Sequence, residues 1–190
     1  MSIHHLKFKR LRRCLGTLRR WYLIDRNLPP GSFIHSSATI DKTASVGGLL
    51  RLFSNVSIGL YTFITGTDPF GVEIGSNTTI HSFGIINGDI VIGSNCLIGP
   101  RVTVLSGTHL IDTQDLIRNQ DAAYFNLHSS YPSRQVVIGD DCWLGANSVV
   151  LPGVTLGNGC VVGANSVVTK SFSDYSVVAG SPARLLRMRQ

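Results

Sequence analysis

Residues 138–170 read IGDDCWLGANSVVLPGVTLGNGCVVGANSVVTK, and an aliphatic residue recurs there at every sixth position. The same spacing extends back to residue 34 with two interruptions. Helices repeat every 3.6 residues and strands every two, so the pattern fits neither a helix nor an ordinary hairpin sheet. The aliphatic positions are Ile34, Ile40, Val46, Leu52, Ile58, Ile64, Ile74, Ile80, Ile86, Ile92, Ile98, Val104, Ile138, Leu144, Val150, Leu156, Val162 and Val168.

Six residues correspond to about four residues of extended chain and a two-residue corner. Three hexads predict one triangular coil, and the eighteen hexads predict about six stacked coils. With the aliphatic residue as position 1, positions 1 and 5 should point inward, position 6 outward, and positions 3 and 4 should form the corner. Corners carry residues that tolerate left-handed backbone, namely Asn77, Asn95, Asn147, Gly159 and Asn165. The pattern therefore predicts one elongated all-β prism.

The composition is typical of a globular protein, with 43% hydrophobic and 15% charged residues. No apolar run is long enough to span a membrane, and the N-terminus lacks the apolar core of a signal peptide, so we expect a cytoplasmic protein. Cys96, Cys142 and Cys160 stand at position 5, and no CxxC spacing occurs. They are predicted to be reduced packing residues rather than a disulfide or zinc site.

Residues 1–31 form a basic segment that precedes the repeats and holds eight of the 17 Lys and Arg residues. Apolar residues at helical spacing predict an amphipathic helix, which Pro29, Pro30 and Gly31 terminate. This helix could cap the open first coil, or it could contact an anionic membrane surface or an acidic lipid-linked glycan. No nucleic-acid-binding module accompanies the charge, so we expect no nucleic acid partner.

Two excursions interrupt the hexads. The first inserts four residues, 67–70, and the second covers residues 110–137, which predicts a functional loop. Tyr124 and His128 within it are candidate contacts for a substrate. His109 stands at the base of this loop at position 6, between inward-pointing Thr108 and Leu110, so its imidazole should project outward. Asp112 or a backbone carbonyl could orient it.

The runs IGSNCLIGPRVTVL (92–105) and 138–170 resemble the hexapeptide-repeat acyltransferases, and the resemblance covers about residues 34–187. It implies a left-handed parallel β-helix, although the general crossover rule favours right-handed connections. Residues 32–190 would be the acyltransferase domain, with a C-terminal cap at 169–190. The resemblance also implies a homotrimer, acetyl-CoA as co-substrate, no metal, and a donor groove between neighbouring subunits.

Site residues follow from the same resemblance. His109 corresponds to the general base of the family's O-acetyltransferases, and His81 lies where relatives contact the acceptor, although a plain surface position stays open for it. Trp143 should project from the prism wall, either into a subunit interface or against the donor or the acceptor. The residues that the resemblance places along acetyl-CoA are Trp143, Gly145, Ala146, Ala164, Thr169, Lys170, Arg184 and Arg187.

We therefore expect acetyl transfer from acetyl-CoA to a hydroxyl of a sugar or cell-surface polysaccharide, such as capsule, O-antigen or a nucleotide- or lipid-linked precursor. Since no separate nucleophile with a matched base is evident, direct attack is favoured over an acyl-enzyme. Other acceptors, serine or a xenobiotic, remain alternatives. Two other classes also remain: a zinc enzyme like the γ-type carbonic anhydrases, with His81, His109 and His128 as ligands, and a catalytically inactive scaffold.

Overall fold

The structure is a computed structural model, and it describes residues 28–67, 70–111, 113–121 and 134–190. The chain winds through three parallel sheets, which form the faces of a prism. Face I contains β1 (Phe33–Ile34), β4 (Leu50–Leu52), β7 (Val72–Ile74), β10 (Ile90–Ile92), β13 (Val136–Ile138) and β16 (Thr155–Leu156). Face II contains β2 (Thr39–Ile40), β5 (Ser57–Ile58), β8 (Thr79–Ile80), β11 (Leu97–Ile98), β14 (Trp143–Leu144), β17 (Val161–Val162), β19 (Ser176–Gly180) and β20 (Ala183–Met188). Face III contains β3 (Ser45–Gly48), β6 (Phe63–Gly66), β9 (Ile85–Gly88), β12 (Thr103–Leu105), β15 (Val149–Val150) and β18 (Val167–Val168).

The register of the faces aligns equivalent hexad positions. On face II, for example, Ile80, Ile98 and Leu144 stand opposite one another in successive strands. These position-1 side chains are fully buried and form the core, to which each contributes about 1.5–3 kcal/mol by leaving water. Position 6 points outward, as Trp143 shows with 54% exposure. The predicted parallel β-helix and its inward and outward positions are therefore confirmed.

Most corners are sharp because one residue in them adopts a left-handed backbone. Asn77, Asn95, Asn147 and Asn165 have φ of 60°, 61°, 58° and 58°, as their residue type predicts. The Asn side chains also form ladders between coils: the amide of Asn147 donates to Asn165 over 3.1 Å, and that of Asn77 donates to Asn95 over 3.1 Å.

The cysteines occupy inward positions at the corner between faces I and II. Cys96, Cys142 and Cys160 are buried free thiols, which confirms their packing role. Hydrogen bonding with Cys160 and Cys96, together with burial, raises the pKa of the Cys142 thiol. The thiols of Cys96 and Cys142 donate to the carbonyl oxygens of Gly139 and Gly157 in the next coil. These buried thiols therefore link neighbouring coils by hydrogen bonds and have no access to solvent.

Both excursions leave the prism at the same corner, between faces III and I. The larger one begins earlier than predicted, because β12 ends at Leu105 and β13 starts at Val136. Ser106 is buried and accepts a 2.9 Å hydrogen bond from the Arg134 N–H, which closes the base of the loop. Thr108 is exposed, so its predicted inward position is wrong: the chain has already left the hexad geometry.

The C-terminal end finishes the prism with a hairpin. β18 ends at Val168, and Phe172 makes one further parallel bridge with Leu156. β19 then pairs parallel to β17, and β20 returns antiparallel to β19. The helix predicted within residues 1–31 falls largely outside the described residues. Within the ranges that are described, no helix has the length and apolar character needed to cross a bilayer.

Candidate functional site

His109 stands just beyond β12, and its side chain is 73% exposed, as predicted. Its Nδ1 is hydrogen-bonded to Oδ2 of Asp121, whose side chain is only 8% exposed. The hydrogen bonds that Asp121 accepts, first from the Leu110 N–H and then from His109, lower the pKa of this carboxyl below its ordinary value. An ionised carboxylate only accepts hydrogen bonds, so Nδ1 must carry the proton. The lone pair of a neutral His109 is therefore on Nε2, which is left for a substrate.

Asp121 reaches His109 because the loop segment before it is braced internally. Residues 117–121 are helical, a segment that we call α1, and Asp121 lies at the end of the part that the structure describes. The Asp115 carboxylate accepts from the Leu116 N–H at 2.7 Å, and the Gln120 amide donates to the Asp115 carbonyl oxygen at 2.9 Å. Oδ1 of Asp121 accepts from the Leu110 N–H at 3.0 Å. The segment thus holds the carboxylate at the foot of the loop.

A buried carboxylate, Asp89, links the two excursions. Its Oδ1 accepts from the Thr67 hydroxyl at 2.9 Å and from the Gly71 N–H at 3.3 Å in the first excursion. Its N–H donates to the Ser106 hydroxyl at 2.7 Å, and its carbonyl accepts from the Val136 N–H at 3.1 Å. Both ends of the His109 loop are therefore attached to one residue. An acidic residue at a corner position, where Asn or Gly is usual, was the sequence signal for it.

The corner between faces II and III, which we call the II–III corner, leaves backbone amides open. The N–H groups of Ala146 and Ala164, at position 3 of successive coils, have no hydrogen-bond acceptor within the described part of the chain. At the corner between faces I and II, the equivalent amides are capped: Asp140 Oδ1 accepts from the Ser94 N–H at 2.7 Å, and Asn158 Oδ1 accepts from the Asp140 N–H at 2.8 Å. An alanine methyl cannot act as such a cap.

Gly145 has a structural reason to be glycine. A Cβ at this residue would lie 2.6 Å from the Ala164 nitrogen in the next coil. Its N–H already donates to the Val162 carbonyl oxygen at 2.8 Å, so it cannot donate to a ligand. Of the neighbouring residues Gly145 and Ala146, which the family resemblance places along acetyl-CoA, only Ala146 has an amide without an acceptor among the described residues.

Trp143 begins a row that runs across face II to the end of the prism. It stands opposite Val161, which stands opposite Val177, which pairs with Arg187 on β20. Three strand spacings separate Trp143 from Arg187, about 14 Å. Arg184, opposite Ala179, lies on the same hairpin at the II–III side. Small residues near the corner and cations at the end suit a narrow amide-bearing arm that carries phosphates.

The structure divides the predicted site residues between two edges of face III. His81, Gly145, Ala146 and Ala164 follow strands of face II and lie at the II–III corner. His109, Thr169 and Lys170 follow strands of face III and lie at the opposite, III–I, corner. The width of the face, on the order of 15 Å, separates the two sets within one chain.

Asp112, Tyr124 and His128 lie outside the described residues, and the carboxylate on His109 is Asp121. His81 is exposed at the surface, and it lies across face III from His109. Among the residues that are described, no three His, Cys, Asp or Glu side chains are grouped to hold a metal ion.

Comparison with known proteins connects these features to a family. The family model described as "Hexapeptide repeat of succinyl-transferase" matches residues 89–112 and 135–170. A putative acetyltransferase of Dictyostelium discoideum is 37% identical over 142 residues, which are 72% of this chain and 69% of that protein. The galactoside O-acetyltransferase of Lactococcus lactis is 36% identical over 148 residues, 73% of this chain and 65% of its own length, so the chain spans slightly less than two thirds of that relative.

Solved structures show the same architecture. A hexapeptide-repeat acetyltransferase from Vibrio cholerae is 32% identical, with a TM-score of 0.54 over 66% of this chain and 70% of its own. Its complex with acetyl-CoA aligns over 84% of this chain and 72% of its own, with a TM-score of 0.52 and 28% identity.

Proposed function

Because this chain belongs to the hexapeptide-repeat acetyltransferases, we propose that it transfers the acetyl group of acetyl-CoA to a hydroxyl of a sugar or cell-surface polysaccharide. The observation that carries the proposal is the His109–Asp121 pair, exposed at the base of the large excursion. A hydroxyl needs a base such as the free Nε2 to remove its proton as it attacks. A neutral amine depends less on such a base, because its lone pair can attack directly.

His109 acts as the general base in a direct transfer that has no acyl-enzyme intermediate. Nε2 removes the hydroxyl proton as the sugar oxygen attacks the thioester carbonyl carbon, and a tetrahedral intermediate forms. The C–S bond then breaks, and the imidazolium returns its proton to the departing thiolate. The products are the O-acetyl ester and free CoA. Asp121 stabilises the transient imidazolium because its carboxylate is already ionised beside Nδ1.

The open amide of Ala146 stabilises the charge on the thioester oxygen. A preorganised backbone N–H aimed at a developing oxyanion is one of the largest single contributions to acyl transfer. The neighbouring Ala164 amide lies one coil further on and would bind the pantetheine arm. Arg184 and Arg187, at the end of the prism, would meet the phosphates. Thr169 and Lys170 would reach the nucleotide from the other side of the groove.

A complete site needs two copies of the chain, since His109 and Ala146 lie at opposite edges of face III. We therefore propose a homotrimer in which the III–I corner of one copy meets the II–III corner of the next. Outward apolar side chains support an assembly: Phe63 and Ile85 on face III, and Leu97 and Trp143 on face II, are 41–54% exposed. The membrane contact of the basic N-terminal segment stays a prediction.

The activity is tested by incubating purified protein with acetyl-CoA and a panel of glycosides, nucleotide sugars and surface glycans, with free thiol as the readout. We expect thiol release that depends on a sugar, together with a 42 Da increase in the mass of that sugar. Product digestion with alkali should remove the group, since esters hydrolyse and amides resist. Release of thiol without an acetylated product, or an alkali-stable product, would contradict O-acetylation.

A further inference from the structure

The II–III corner carries three bulky side chains in the coils that precede the two alanines. Tyr61, Phe83 and Arg101 occupy position 4 of successive coils. The rings of Tyr61 and Phe83 are stacked, with centroids 5.5 Å apart and planes inclined by 16°. Cζ of Arg101 lies 5.8 Å from the Phe83 centroid. The three side chains form one continuous column along the corner, which we call the aromatic column.

All three residues of the aromatic column adopt a backbone that is unfavourable for their type. Tyr61, Phe83 and Arg101 have φ of 51°, 64° and 57°. The next two coils place Asn147 and Asn165 at the same corner position, where Asn tolerates this conformation at little cost. Strain that is retained in three successive coils points to a role for the side chains themselves.

Packing of the core does not explain the column. Tyr61 is 61% exposed and Phe83 is 49% exposed. Among the described residues, Arg101 forms neither an ion pair nor a side-chain hydrogen bond, in contrast to Arg51 with Glu73 and Arg189 with Asp141. The column therefore presents apolar ring surface and one cation that has no carboxylate partner within the described ranges.

The column directly continues the line of the proposed donor groove. The Asn147 N–H donates to the Pro100 carbonyl oxygen at 3.0 Å, so the coil with Arg101 stacks on the coil with Ala146. One coil rises about 4.8 Å, which places Arg101 one step beyond the proposed oxyanion donor, with Phe83 and Tyr61 within about 10 Å further. His109 ends the same coil that contains Arg101. In a ring of copies whose axis follows the prism, a neighbour's His109 stands at the level of Arg101.

We propose that the aromatic column is the acceptor subsite and that Arg101 selects a sugar bearing an anionic group, a carboxylate or a phosphate. The C–H face of a pyranose packs against the aromatic rings, and the guanidinium pairs with the anion through charge-assisted hydrogen bonds. This inference rests on the proposed function, because it assigns the substrate class of the same site.

The test uses Arg101→Asn, which removes the cation and installs the residue that the next two coils carry at this position. Kinetics are measured with a neutral methyl hexoside, the matching hexuronic acid and the hexose phosphate, which separates carboxylate from phosphate recognition. We expect KM for an acidic acceptor to rise about tenfold or more, because a charge-assisted contact is lost. KM for the neutral sugar, the Kd of acetyl-CoA and the oligomeric mass should not change, and Tm should be equal or higher.

Two further variants complete the test. Arg101→Lys keeps the charge and should recover part of the preference for acidic acceptors. Arg51→Gln removes one positive charge from face I and should leave every KM unchanged. Equal KM shifts for acidic and neutral sugars, no shift, or a changed oligomeric mass would overturn the subsite. Calorimetric titration of the acidic sugar without acetyl-CoA measures Arg101-dependent binding independently of turnover. Binding that persists in a protein without transferase activity would overturn the proposed function and leave the subsite standing, whereas no binding would overturn the subsite.

Discussion

The I–II and II–III corners are built from the same hexads, yet they treat their backbone amides in opposite ways. At the I–II corner, Ser94, Asp140 and Asn158 have their N–H groups capped by an oxygen from the next coil. At the II–III corner, Ala146 and Ala164 have none within the described residues. Capping contributes to stability, since an amide without an acceptor is costly unless water or a ligand reaches it. The difference teaches that a repeat can leave the amides of one edge open to a ligand by placing Ala where the other edge has Asp or Asn.

The largest effect is expected from His109, the group that the III–I corner contributes to the proposed site. His109→Ala should lower kcat by about 10²–10⁴, because the hydroxyl then loses its general base. Acetyl-CoA binding, measured by calorimetry, should be unchanged, since the proposed donor groove lies at the other edge of face III. His35 in the first coil, which is half-buried, offers a control, and His35→Ala should retain full turnover. A fully active His109→Ala protein would mean that this corner does not hold the base.

The second largest effect is expected when the open Ala146 amide at the II–III corner is capped. Ala164→Asn places at the II–III corner the same oxygen that Asn158 supplies to the Asp140 N–H. The new side chain should occupy the Ala146 amide, and kcat/KM should fall by about 10²-fold, as when one oxyanion donor is lost. Stability should not decrease, so thermal unfolding distinguishes this effect from misfolding.

The opposite change at the other corner is its control. Asn158→Ala removes a cap at the I–II corner and should destabilise the protein by about 1 kcal/mol without changing kcat. If Ala164→Asn kept full activity while a structure confirmed the new hydrogen bond, the open amide of Ala146 would have no part in transfer.

Mixing the His109→Ala and Ala164→Asn proteins tests whether the III–I corner of one copy meets the II–III corner of another copy. In the proposed trimer, each site takes His109 from one copy and the Ala146 amide from its neighbour. A site in the mixture is therefore intact only where an Ala164→Asn copy supplies His109 and a His109→Ala copy supplies the open amide. Random reassembly of equal amounts should restore about a quarter of wild-type activity, by counting neighbour pairs in a ring. Reassembly is checked by native mass spectrometry, and activity that stays at background would place the whole site within one chain.

The sequence predicted the prism in more detail than the site. Inward Cys142, outward Trp143 and the turn at Asn147 all followed from a strict period, because position in a repeat determines environment. The hand of the coil came only from the family resemblance. The partner of His109 could not be deduced, since Asp121 lies twelve residues away in a segment without periodicity. Thr108 marks where the periodic argument ended, because the chain leaves the hexad pattern at Ser106.

Asp121 provides a moderate effect at the III–I corner. Asp121→Asn retains an oxygen for the Leu110 N–H but loses the charge beside Nδ1, so kcat should fall about tenfold while KM changes little. Asp115→Asn, in the same loop and exposed, should have no comparable effect on kcat. An unchanged kcat in Asp121→Asn would show that Asp121 only holds the loop in place through the Leu110 N–H and does not assist His109.

The pH dependence of stability follows from the lowered pKa of Asp121. A carboxyl whose pKa is lower in the folded state contributes stability above its unfolded value, about 3.9, and loses that contribution as pH falls through the folded value. The stability difference between wild type and Asp121→Asn should therefore be constant from pH 8 to about 5 and should shrink below about pH 4. Chemical unfolding at several pH values measures it.

The smallest effect concerns the interior of the II–III corner, where Ser148 and Ser166 are buried at the same hexad position in successive coils. The Ser166 hydroxyl accepts from the Gly180 N–H at 3.0 Å, whereas the Ser148 hydroxyl has no partner within the described residues. Ser148→Ala should raise the free energy of unfolding by about 1 kcal/mol, because an unsatisfied buried group is removed, and Ser166→Ala should lower it by a similar amount. In a domain of this size each change corresponds to about 2–4 °C in Tm. If Ser148→Ala also lowered the free energy of unfolding, the Ser148 hydroxyl would have to bind water or another group inside the prism. The interior of this corner would then be open to a ligand, as its surface is.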